Sequence, residues 1–102
     1  MSFSINTNNN GEKNLWEIKL AGEIDISNVN LVKNQLEAVL EEAKQSIEID
    51  LSELDYIDSS GLGMIIKIYG AIKKDGLSVK LINPKDSIKK LLIISGLDKI
   101  LS

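Results

Sequence analysis

One run holds most of the chemistry this sequence can offer: Asp55-Tyr56-Ile57-Asp58-Ser59-Ser60-Gly61-Leu62-Gly63. Two adjacent hydroxyls follow a carboxylate, where an extended segment gives way to helical spacing. A helix start offers unpaired N–H groups and a partial positive charge, so a lone serine there can be a plain cap. Two serines, an acid and two glycines together exceed what a cap needs. Gly61 and Gly63 admit close approach by another backbone or a bulky group. A phosphate placed on this segment would meet the helix terminus and stay accessible.

Other chemistries fall away by residue type. Histidine and cysteine are both absent, which removes serine triads, thiolate nucleophiles, imidazole proton transfer and the usual zinc sites. Gly61-Leu62-Gly63 begins like a dinucleotide loop, but Ile66 stands where the third glycine belongs. The acids Asp25, Asp50, Asp55 and Asp58 could suggest a magnesium or phospho-aspartate site, yet that arrangement needs an opening β-α unit with an acidic pair. This chain opens with two strand patterns. No catalytic residue and no metal site is therefore assigned, and an enzyme is not expected.

The 102 residues suit one domain, 1–102, and 43% hydrophobic with 26% charged is globular material. The net charge of −3 divides unevenly: residues 1–60 carry 12 acids against 4 lysines, whereas 61–102 carry 3 acids against 8 lysines. Every cation is lysine, without the forked guanidinium suited to base edges, so nucleic acid is not an expected partner. The N-terminus lacks a signal-peptide pattern and no apolar stretch nears the roughly 20 residues of a membrane span. With no cysteine, a cytoplasmic location is expected.

The elements that must position the serine run follow from periodicity. Phe3 and Ile5 alternate with polar residues as a short strand, Asn8-Asn9-Asn10-Gly11 reads as a turn, and Trp16, Ile18 and Leu20 form a second strand. Residues 21–26 read as a loop and Ser27 as N-cap of a helix over 28–43. Ile47, Ile49 and Leu51 make a third strand, Ser60 to Lys74 a second helix, and Leu77, Val79 and Leu81 a fourth strand. A third helix, capped by Asp86 or Ser87, should stop at Gly96. The order β-β-α-β-α-β-α predicts an α/β domain, a mixed and mostly parallel sheet with helices mainly on one face.

Asp58-Ser59-Ser60-Gly61-Leu62-Gly63 resembles the phosphorylation motif of bacterial anti-sigma-factor antagonists, the free-standing members of the STAS domain family. Leu20-Ala21-Gly22-Glu23-Ile24-Asp25, Ile49-Asp50-Leu51 and Ser95-Gly96-Leu97-Asp98-Lys99-Ile100 resemble further blocks of that family, in the same order. The resemblance implies a STAS-type fold and a partner switch. The unphosphorylated antagonist binds an anti-sigma factor that is a serine/threonine kinase, which frees the sigma factor. The kinase then phosphorylates the position matched by Ser59, binding ends, and a serine phosphatase resets the cycle. ATP and magnesium belong to the kinase, so no cofactor is expected on this chain. Asp25 and Asp58 match positions beside the acceptor that dock or orient the kinase, with Ser60, Gly61 and Leu62 in the same contact region. STAS domains also serve as components of stressosomes and other signalling assemblies, which is the alternative role.

The helix period adds one expectation. At about 100° per residue, Leu62, Ile65, Ile66, Tyr69 and Ile72 share an arc expected to face the sheet. Met64, Ile68 and Ala71 fall on a separate stripe, read either as packing against a neighbouring helix or as a partner-binding strip next to Ser59.

Overall fold

The computed structural model describes residues 2–102. Four strands, β1 (Phe3–Asn10), β2 (Leu15–Ile24), β3 (Ser46–Ile57) and β4 (Val79–Ile82), form one sheet in the order β1-β2-β3-β4. β1 runs antiparallel to β2, while β2–β3 and β3–β4 are parallel. Each parallel pair is joined by a helix, α1 (Val29–Glu42) and then α2 (Ser59–Lys74), with α3 (Asp86–Ile94) after β4. A single 3-10 turn, Leu97–Ile100, follows, and Leu101 makes an isolated parallel bridge to Leu81.

Alternation decides the layering. Trp16, Ile18 and Leu20 of β2, Ile47, Ile49 and Leu51 of β3, and Val79 and Leu81 of β4 are buried in one cluster with Val32 and Leu36 of α1, Ile65 and Ile72 of α2, and Ile88 and Leu92 of α3. The intervening Glu17, Lys19, Glu48, Asp50 and Lys80 populate the other, polar face. The Trp16 indole N–H donates to the Ala43 carbonyl at 2.8 Å, pinning the end of α1 to the sheet.

Several sequence expectations shift at their edges. β1 continues through Asn8–Asn10, and the turn is moved to residues 11–14, with Asn14 at φ 51°. The segment expected as a loop after Leu20 stays in the sheet as far as Ile24. Its Gly22 has φ 86°, and an added Cβ would lie 2.3 Å from the Ser2 carbonyl oxygen, so both the conformation and the crossing chain demand glycine. β3 runs past Leu51 to Ile57 by taking two bulges, opposite Lys19–Ala21 and Gly22–Glu23 of β2. Each inserts one residue, so core positions switch from every second residue (Ile47, Ile49, Leu51) to every third (Leu54, Ile57). Asn28, not Ser27, stands at the N-cap position of α1, and Lys85, not Asp86 or Ser87, at that of α3. α3 ends at Gly96, in the left-handed conformation.

Candidate functional site

β3 ends in the core with Ile57, and the chain turns at Asp58 straight into α2. Asp58 is the N-cap: Oδ1 accepts the Ser60 and Gly61 amides at 3.0 and 3.1 Å and also the Ser60 hydroxyl. Its Oδ2 accepts the Ile26 amide at 3.2 Å, and its own N–H donates to the Ile24 carbonyl at 3.2 Å. One carboxylate thus closes the start of α2 and ties it to the β2–α1 loop. The Ser60 hydroxyl, joined by the Gly61, Ile26 and Ser60 amides, outweighs the opposing desolvation and holds the Asp58 carboxyl below the usual carboxylate range. It is a fixed anion beside the two serines.

The two hydroxyls differ in standing. Ser60 is half-buried and donates to Asp58, whereas Ser59 occupies the first helical position and is exposed. Gly61 is buried beneath them: an added Cβ would meet Ile57 Cγ1 at 2.5 Å and Ile24 Cγ2 at 3.2 Å. Its role is tight helix-on-sheet packing, while Gly63 has nothing within 4 Å of its Cβ direction.

Asp25 lies in the loop that Asp58 tethers. Its Oδ1 accepts the Ser27 amide at 2.9 Å and the Ser27 hydroxyl. That loop depends on a residue the sequence reading missed. Asn28 is 6% exposed, its Oδ1 accepts the Asp25 amide at 3.0 Å and its Nδ2 donates to the Glu23 carbonyl at 2.8 Å. It clamps the backbone on both sides of Ile24 and, although it stands at the cap position, makes no side-chain bond to α1. An Asn directly before a helical pattern reads as a cap, so its actual partners leave little trace in the sequence.

The structure brings Asp25, Asp58, Ser59, Ser60, Gly61 and Leu62 to one end of the molecule. Of the two readings of Met64 and Ile68, the structure bears out packing inside against neighbouring elements and overturns the partner-binding strip. Met64 and Ile68 are 4% and 5% exposed and belong to the core. The arc of α2 that faces inward carries Gly61, Met64, Ile65, Ile68 and Ile72, because α1 packs beside α2 and covers the Met64 side. Met64 lines the groove between the two helices with Val29, Lys33, Ser60, Gly63 and Lys67. Ile66, expected against the sheet, is 46% exposed instead, and Leu62 and Tyr69 are half-buried.

With this geometry in place, likeness to known proteins can be assigned. Residues 10–102 match the family described as Mlab, STAS domain. The Anti-sigma-B factor antagonist of Bacillus subtilis (strain 168) is 31% identical over 99 residues, covering 97% of this chain and 90% of that protein. The Anti-sigma-B factor antagonist of Staphylococcus aureus (strain NCTC 8325 / PS 47) is 24% identical over 95 residues, covering 93% and 88%. The anti-sigma factor antagonist SpoIIAA in its unphosphorylated form superposes with a TM-score of 0.82 at 20% identity, over 99% of this chain and 86% of that one, and shares the fold. The chain belongs to the STAS domain family, in its anti-sigma factor antagonist group. The role these relatives are named for is regulatory, antagonism of an anti-sigma factor.

Proposed function

We propose that this chain is a phosphorylation-controlled anti-sigma factor antagonist in which Ser59 is the switch. In the unphosphorylated state it binds an anti-sigma factor with serine/threonine kinase activity and so releases a sigma factor in the cytoplasm. The kinase, holding its own ATP and magnesium, phosphorylates Ser59 and the complex dissociates; a serine phosphatase returns the chain to the binding state.

The carrying observation is the contrast between neighbouring hydroxyls, Ser59 exposed on the first turn of α2 and Ser60 engaged by Asp58. SpoIIAA, a structural neighbour, is known in both unphosphorylated and phosphorylated forms, in keeping with a switch of this kind. Charge supplies the mechanism. A phosphate adds about −1.5 to −2 where Asp58 already occupies the Ser60 and Gly61 amides. The new anion gains little from the helix end and lies against a fixed carboxylate, so a partner packed here meets both bulk and repulsion. The contact surface follows the exposed side of α2, from Ser59 through Leu62 to Ile66, together with the exposed Ile26 beside Asp58.

The test is phosphosite mapping by mass spectrometry after incubation with the kinase partner, ATP and magnesium. Phosphate is expected on Ser59. Ser59→Ala should bind the partner yet remain unmodified, and Ser59→Asp should bind weakly. Phosphate on Ser60 of the Ser59→Ala protein, at the rate of the unaltered chain, would reverse the assignment.

A further inference from the structure

A cleft lies toward the C-terminal end of α2, roughly 15–20 Å from Ser59 along the helix at about 1.5 Å per residue. Its volume of about 440 Å³ suits a small molecule. Two cations converge in it from separate elements. Lys73 of α2 and Lys99 of the 3-10 turn place Nζ 5.4 and 5.5 Å from the centre of the Tyr69 ring. Lys73 Nζ also donates to the Tyr69 hydroxyl at 3.1 Å.

Neither charge is held in an ion pair among the described residues. The ion pairs among the described residues join Lys19 to Glu53, Lys44 to Asp75 and Lys85 to Asp55. Neither Lys73 nor Lys99 takes part, and the cleft is lined by no Asp or Glu side chain, although Ser102, the last residue of the sequence, borders it. The hydrogen bond from Lys73, against slight desolvation and with the charges of Lys73 and Lys99 behind it, holds the Tyr69 hydroxyl below its ordinary pKa. Leu77, Val79, Ile100 and Leu101 form the apolar part of the remaining wall, with Ser78 and Ser102 beside them.

The free edge of β4 is too short here for an added peptide strand. Leu81 is already bridged to Leu101, and its carbonyl accepts the Ser102 amide at 2.9 Å, which leaves only the Val79 end open. A compact ligand fits better. We propose that this cleft binds a small organic anion, its phosphate or carboxylate head between Lys73 and Lys99 and its apolar body on Leu77, Val79 and Ile100.

Amide NMR titration of the intact chain, at about 150 mM salt to screen loose counterions, tests this with four probes: phenyl phosphate, benzoate, inorganic phosphate and benzyl alcohol. Phenyl phosphate or benzoate should bind at least about tenfold more tightly than the two fragments, with shifts centred on Tyr69, Lys73, Val79, Lys99 and Ile100. The tighter of the two identifies the head group. Lys73→Gln with Lys99→Gln should weaken binding by about tenfold or more and leave the rest of the spectrum in place. Should that pair perturb folding, Lys99→Glu alone gives the same readout, since Lys99 is exposed. Equal binding of inorganic phosphate, shifts scattered over surface lysines such as Lys44 and Lys89, undiminished binding in the variants, or binding of an acidic peptide but of no probe would each overturn the site.

Discussion

Replacing Asn28 by alanine removes the clamp between the loop that carries Asp25 and the end of β2. The side chain is 6% exposed and makes two hydrogen bonds, accepting from the Asp25 amide and donating to the Glu23 carbonyl. Truncation strands one donor and one acceptor, at about 1–3 kcal/mol for each group left without a partner. Glu23 and Asp25 are themselves half-buried, so water recovers part of that loss. Because Asn28 makes no side-chain bond to α1, no capping energy is added. The expected cost is about 2–4 kcal/mol, a large share of the roughly 5–15 kcal/mol typical of a domain. At about 4–8 °C per kcal/mol, Tm should fall by more than about 8 °C. Urea unfolding followed by circular dichroism measures it. Asn28→Asp sharpens the test: it keeps the acceptor for the Asp25 amide but aims a buried charge at the Glu23 carbonyl, so at neutral pH it should cost more than alanine. Protonating the new carboxyl at acid pH should narrow that gap. A loss below about 0.5 kcal/mol for Asn28→Ala, the range of ordinary surface changes, would refute the clamp.

Gly61→Ala should destabilise, because overpacking against Ile57 and Ile24 at about 1–3 kcal/mol outweighs a helix-propensity gain of about 1 kcal/mol. Gly63→Ala, with open space around its Cβ, should stabilise by about 0.5–1 kcal/mol; equal signs in thermal melts would contradict the packing described. Met64→Lys and Ile68→Glu should each lower stability by several kcal/mol, on the order of 3 or more. Ile66→Glu should instead leave the melting curve in place and, on the proposed docking surface, abolish partner binding; a normal affinity would exclude that surface. Asp58 has a lowered pKa in the folded state, so its contribution to stability is present above the unfolded-state value of about 4 and is lost as pH falls through the folded value. NMR titration of the Ser60 and Gly61 amides should accordingly show a midpoint below that of a free aspartate, and a midpoint at or above it would contradict the capping geometry.

Much of the architecture was legible because it rests on period. The two-residue alternation at Trp16–Leu20 and Ile47–Leu51 and the helical spacing in α1 place the right faces inward. The turn from strand to helix at Asp58 was legible from its residue types, an acid followed by paired hydroxyls and glycine. What escaped depends on neighbours the sequence does not name. Bulges hid the second half of β3, because Leu54 and Ile57 break the alternation that announces a strand. The inward arc of α2 was misplaced because its apolar residues span more than one face, and only the position of α1 decides that Met64 goes inside and Ile66 outside. Asn28 has the look of a cap and a different set of partners.

The bulges of β3 also set the phase in which the chain reaches Asp58. With strict alternation, Leu51 and Leu54, three residues apart, could not both face the helices. Each bulge takes up one residue without turning the strand over, so Leu54 and then Ile57 stay on the helix side, with Asp58 directly after. Asp55 is the residue the second bulge takes up, since Leu54, Tyr56 and Ile57 pair with Gly22, Glu23 and Ile24, so its deletion should leave a regular ladder with Ile57 still facing the helices. The pairing with β2, rather than the identity of the exposed bulge residues, holds the direction in which the strand hands over to α2, so those positions are free to vary in composition.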